Sequence, residues 1–128
     1  MDLSESKKNE WESNLKEIEL MSADETIEEH TKGDFWELLS QTRGQYFFTN
    51  EKFIFVGGIL GVDNFAIPYS SIKSLKLCNV GGIIPIVPTG IKVTYMNEKG
   101  KLRTKKCSVP KRKEWLAYLS EKSHVTAG

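Results

Sequence analysis

The stretch from Gly44 to Val56, GQYFFTNEKFIFV, limits what this chain can fold into more than any other. Two runs of aromatic and β-branched side chains, Tyr46 to Thr49 and Phe53 to Val56, flank the polar break Asn50-Glu51-Lys52, which is how a tight β-hairpin reads. An isolated hairpin is marginal in water. One that carries this many rings must bury them against further strands or a helix. A chain of 128 residues has room for one such core and not for a second full domain.

The flanking sequence supplies the partners. Upstream, Leu3, Trp11, Leu15 and Ile18 fall at helical spacing, giving a narrow amphipathic helix whose stripe Trp11, Leu15 and Ile18 needs cover. The cover is either the rest of the chain, a second copy or another protein. Ser22 and Glu25 have capping-box spacing, but little apolar sequence follows, so Glu25 to Lys32 reads as a first strand. Gly33 to Arg43, with Phe35, Trp36, Leu38 and Leu39, suits either a strand or a helical turn. Downstream, Gly57 to Gly61 is a turn, and Asn64 to Ile67 is a short strand ended by Pro68.

Ile72 to Val80 is a further strand with Leu75 and Leu77 on one face. Gly81 to Gly90 is an apolar loop or irregular strand punctuated by glycine and proline. Ile91, Val93 and Tyr95 then alternate with Lys92, Thr94 and Met96, and Asn97 to Gly100 turns the chain into Lys101 to Val109, a second hairpin. Pro110 suits the first turn of a helix over Lys111 to Lys122, whose Trp115, Leu116 and Leu119, with Tyr118 beside them, cap the sheet. These readings divide the chain into a helical arm over 1–22, a β-rich domain over 23–122 and a tail over 123–128 that should fray.

The words Gly44-x-Tyr46-Phe47-Phe48-Thr49-Asn50-x-Lys52-x-Ile54-Phe55 and Ile67-Pro68-Tyr69-x-x-Ile72, a hairpin led by Gly100 and a terminal helix with Trp115 together resemble the GRAM and bacterial pleckstrin-homology (PH)-like family. The resemblance covers about residues 23–122. It implies a mainly β fold, seven strands in a partly open barrel of two nearly orthogonal antiparallel sheets, capped by the C-terminal helix. The N-terminal amphipathic helix is additional to that pattern. Eukaryotic PH relatives often bind phosphoinositides through a closely spaced basic motif in the first hairpin. This chain has only Lys32 and Arg43 there, so the resemblance does not carry that specificity. Fold alone does not transfer function.

Charge is unevenly distributed. Residues 1–37 hold four Lys/Arg against twelve Asp/Glu, and the remainder holds fourteen against five. Either the acidic arm folds back on the basic body, or the body meets an anionic partner. The densest cations are Lys101, Arg103, Lys105 and Lys106 on a strand and Lys111, Arg112 and Lys113 at a helix start, where the backbone dipole disfavours them. These seven are the residues expected to meet an anionic lipid surface, unless they form a solvated edge that deters aggregation. Ile83, Ile84, Ile86 and Val87 either dip into a bilayer or a protomer contact, or belong to the core.

No Walker A, GxGxxG, GxSxG or HExxH word occurs, His30 and His124 are far apart, and Cys78 and Cys107 lack metal or disulfide spacing. No enzyme, cofactor, metal or small-molecule substrate is expected. Nucleic acid is not expected either, because most rings are assigned to the core. The sequence lacks a signal peptide or spanning segment, so the expectation is a cytoplasmic adaptor, peripheral at the inner membrane surface. The competing expectation is a protein-binding or self-assembling module that uses the Trp11, Leu15, Ile18 stripe.

Overall fold

The computed structural model describes residues 3–37, 40–58, 63–81 and 84–128. In chain order the elements are α1 (Leu3–Glu17), β1 (Ile27–Glu37), β2 (Ser40–Thr49), β3 (Lys52–Gly57), β4 (Asp63–Pro68), a 3-10 turn (Tyr69–Ser71), β5 (Ile72–Val80), β6 (Val87–Met96), β7 (Leu102–Ser108) and α2 (Arg112–Ser123). The ambiguous stretch after Gly33 is strand on both sides of residues 38 and 39. Leu38, Leu39, residues 59–61 of the expected turn and Ile83 fall outside the described residues.

All seven strands form one antiparallel sheet in the order β4-β3-β2-β1-β7-β6-β5. Two hairpin-connected meanders, β1 to β4 and β5 to β7, meet where β1 pairs with β7 over Asp34–Ser108, Phe35–Cys107 and Trp36–Lys106. The end strands β4 and β5 are not paired with each other, so the barrel stays partly open. Side chains of one face converge on a core of Phe35, Tyr46, Phe48, Phe53, Phe55, Ile67, Leu75, Ile91, Val93 and Leu119. Helix α2 closes this core: the Trp115 ring stacks on Phe48 at 4.4 Å and 8°, and Leu119 is buried beneath it. Large aromatic side chains buried in this way dominate core energetics.

The opposite face of the central hairpin is also apolar, because Phe47 and Ile54 point away from the barrel core. Helix α1 covers them. Leu15 is 4% exposed and joins Met21, Ile27, Phe47 and Ile54 in a second core, with Trp11 packed alongside. The Trp11 ring meets Phe47 edge-on at 5.3 Å and His30 at 4.7 Å. The stripe read as a contact for a partner therefore finds its cover within its own chain, and only Ile18, 53% exposed, remains outside. Truncating Leu15 to Ala is expected to lower stability by about 2–5 kcal/mol. Ile18→Ser should change it by less than about 0.5 kcal/mol. Urea unfolding of the two variants checks this contrast.

Two local features depart from expectation. Pro110 precedes α2, and Lys111 caps it in the left-handed region at φ 54°. The tail expected to fray instead lies along β5. The Gly128 amide donates to the Leu75 carbonyl at 2.9 Å, Ser120 Oγ donates to the Val125 carbonyl at 2.6 Å, and Val125 and Ala127 pack on the core. An unpaired strand edge offers free carbonyls, and the tail takes one of them.

Candidate functional site

The cations of β7 do not lie on one face, since successive strand residues point to opposite faces. Lys105 lies on the core side, half-buried, with its ammonium 4.8 Å from the Phe35 ring centroid and 5.0 Å from that of Phe65. It holds these two rings, one on β1 and one on β4, by cation–π contacts. Arg103, on the same side, lines a cleft of ≈ 750 Å³ between the end of α1, β4 and the β6–β7 turn, where Lys52 and Lys99 share the walls with Glu19 and Glu98. Lys101 sits at the turn, where its amide donates to Asn97 Oδ1 at 2.9 Å. Lys106 alone of the four strand cations points out from the sheet.

There it has company that the linear sequence concealed. Lys76 on β5 stands directly opposite Lys92 on β6, and Lys92 stands directly opposite Lys106. The next residue of the same row, on β1, is Trp36. All three lysines are exposed, and the ion pairs among the described residues, Lys52–Glu25 and Lys122–Glu28, involve none of them. Ser74, Thr94 and Thr104 make a parallel row of hydroxyls beside them.

The apolar loop lies at the end of the same strands. Ile84 and Ile86 are each 71% exposed and Val87 is 44% exposed, so these residues are not core. Pro85 and Gly81 of this loop share a cleft of ≈ 600 Å³ with Trp36, Thr104, Lys105 and Lys106. The first turn of α2 is tied to the same end, because Arg112 Nη1 donates to the Cys78 carbonyl at 2.8 Å and the Val109 amide donates to the Thr89 carbonyl at 3.1 Å. Arg112 is thus engaged with the fold, whereas Lys111 and Lys113 are exposed. Burial pushes the Cys78 thiol up despite the opposing charges of Lys106, Arg112 and Lys92. Those three cations gather around one side chain.

No family model matches the chain, and no curated protein does. Solved structures do. The C-terminal domain of an unknown protein from Leishmania infantum matches with a TM-score of 0.65 at 16% identity, over 91% of this chain and 96% of that one. The hSac2 domain from human phosphoinositide phosphatase Sac2 matches with a TM-score of 0.65 at 9% identity, over 100% of this chain and 87% of that one. The DH/PH domains of p115-RhoGEF match with a TM-score of 0.59 at 8% identity, over 89% of this chain and 34% of that one. The fold is PH-like. At these identities the likeness shows the fold alone. Within this PH-like frame the two words that carried the sequence resemblance meet in space: Tyr69 donates its hydroxyl to the Thr49 carbonyl at 2.8 Å and its amide to the Glu51 carbonyl at 3.0 Å.

Proposed function

We propose that this chain is a non-catalytic binding module of the GRAM or bacterial PH type that associates peripherally with anionic membrane surfaces on the cytoplasmic side. The observation that carries this reading is the exposed Ile84, Ile86 and Val87 at the end of the sheet to which the start of α2, with its exposed Lys111 and Lys113, is tied through Arg112 and Val109. Apolar side chains at a tip gain by entering the interface, and cations around them gain about 1 kcal/mol each near an anionic leaflet. A loop with few apolar residues cannot hold a protein on a bilayer by itself, so the association is weak and depends on charge. No helix among the described residues is long and apolar enough to cross a membrane. The alternative reading, a partner-binding stripe on α1, has lost Trp11 and Leu15 to the chain's own second core.

Sedimentation with neutral and anionic vesicles at low and moderate salt tests the reading. The expected result is pelleting with anionic vesicles only, weakened by salt. Changing Lys111 and Lys113 together to Ser should weaken it roughly 30-fold, from two cations at about 1 kcal/mol each. Ile84→Ser with Ile86→Ser should weaken it while leaving the salt dependence in place. Absence of pelleting by the wild type under every condition would remove the reading and turn the search to protein partners.

A further inference from the structure

We propose that the outer face of β5, β6 and β7, led by the row Lys76, Lys92, Lys106 and Trp36, is the surface that lies against the anionic bilayer. The domain then binds face-down rather than by its loop end alone. This inference rests on the membrane reading above and fixes which surface performs it. Its first support is the cost of the row. Like charges directly opposite each other on neighbouring strands are destabilising, and here three stand in line across strands about 4.8 Å apart. Among the described residues none of the three is relieved by an ion pair.

Coverage is the second support. Helix α1 occupies the outer face of the β2–β3 hairpin and α2 closes the barrel core, so neither helix covers the β5–β7 outer face. That face carries lysines, the hydroxyls of Ser74, Thr94 and Thr104 and the exposed Leu102, with the Trp36 indole next to it on β1.

The third support is the indole itself. Trp36 is half-buried and, among the described residues, makes no ring contact of the kind that engages Trp11 and Trp115. Indoles prefer the headgroup level of a bilayer, where one edge is apolar and the other wet. A row of three cations ending in such a ring, with the apolar loop sharing its cleft, matches an anionic interface in both charge and polarity. Bound end-on, the loop would enter the interface while the row stood away from it along the strands. Bound face-down, both meet the headgroups together.

Two variants separate this surface from the loop end. Lys76→Ser, Lys92→Ser and Lys106→Ser combined should weaken binding to phosphatidylserine-containing vesicles roughly 100-fold, from three cations. Lys92→Glu should weaken it as well, while holding or raising the thermal midpoint, because a carboxylate between Lys76 and Lys106 replaces repulsion with attraction. Circular dichroism melts confirm that both variants fold. A nitroxide-labelled lipid should quench wild-type tryptophan emission, and Trp36→Phe should remove most of that quenching.

Folded lysine variants that bind like the wild type, or quenching unchanged by Trp36→Phe, would overturn the face-down surface. Either result leaves membrane association through the loop end standing. A wild type that binds no vesicles removes both readings at once.

Discussion

Replacing Gly44 by valine is expected to leave no stable folded state at room temperature. Gly33, Gly44 and Gly57 stand opposite one another on β1, β2 and β3, forming one cross-strand row without side chains. The rings of Tyr46 and Phe55 lie over this row. A Cβ on Gly44 would meet the Val56 carbonyl oxygen, come within 2.7 Å of Gly57 Cα and lie 2.8 Å from Phe55 Cζ. Two of these neighbours are backbone in a paired strand and cannot yield without breaking the ladder.

Overpacking a core by a few methylenes costs about 1–3 kcal/mol when side chains can adjust. Here they cannot, and the total stability of a domain this size is only about 5–15 kcal/mol. Gly44→Ala should already lower the denaturation midpoint strongly. Gly100→Ala is the comparison: its φ is 75°, but nothing lies within 4 Å of the added carbon, so only backbone strain of about 1 kcal/mol is expected. Urea melts followed by far-ultraviolet circular dichroism distinguish the two. A Gly44→Val protein that melts like the wild type would show that the sheet can open at this row.

Glu25→Ala should cost about 1–3 kcal/mol, the range for leaving buried donors without their acceptor, because the remaining charge, Lys52, is partly exposed. Glu25 is 0% exposed. Its carboxylate accepts from Thr49 Oγ1 at 2.6 Å, from the Ser22 amide at 2.9 Å and from Lys52 Nζ at 3.0 Å. These contacts pin the segment after α1 to the tip of the central hairpin, where Asn50 Oδ1 also accepts from the Thr26 amide at 3.0 Å.

Burial alone would raise the carboxyl's pKa. The hydrogen bonds from Thr49, Ser22 and Lys52, with the Lys52 charge, outweigh it and hold the group below its ordinary value of 4.5. Because the folded pKa is the lower one, the unfolded chain binds more protons in the window between the two. The stabilisation is therefore complete above pH 4.5 and is lost as the pH falls through 4.5 and then through the lower folded value. Wild-type stability should decline more steeply than that of Glu25→Gln between pH 5 and pH 3, as followed by urea melts at stepped pH. Parallel curves would show that the carboxylate contributes nothing through its charge.

The strands themselves were largely legible. The central hairpin and the strand Ile91 to Tyr95 announce themselves by alternation, and α2 by the spacing of Trp115 and Leu119, because one face of each must be dry. Ser22 and Glu25 do bond to each other, yet they close a turn before a strand rather than the start of a helix, as the thin apolar sequence after them implied. What covers α1 was not legible. A stripe records that cover is needed, whereas the cover itself, Phe47 and Ile54, is the reverse face of a hairpin whose front face already accounts for its rings.

The basic face was hidden for a different reason. Within β7, parity separates Lys105 from Lys106, but nothing in one strand shows that Lys106 will stand beside Lys92 and Lys76. That row exists only once the registers of two hairpins are set, and β5 carries bulges at both ends that shift its register. Counting outward from the Asn97–Gly100 turn pairs Lys92 with Lys105, one residue short of its observed partner Lys106, because the loop takes Lys101 as well. Lys76, which enters across the long Gly/Pro-rich connection, had no such ruler.

The short junction between β1 and β7 also bears on how the chain reaches its native state. Apart from the Gly/Pro-rich link between β5 and β6, each meander is built from neighbours joined by brief turns, and hairpins of that kind form in about 1–10 μs. The junction instead brings Trp36 to Lys106, closing a loop on the order of 70 residues whose entropy must be lost before three paired positions give anything back. Such a closure cannot lead. It is expected to follow docking of α2, since Trp115 against Phe48 and Leu119 in the shared core offer the two halves a common surface. The barrel is thus expected to assemble as two quick local events and one slow distant one, with α2 the element on which the joining of the two halves depends.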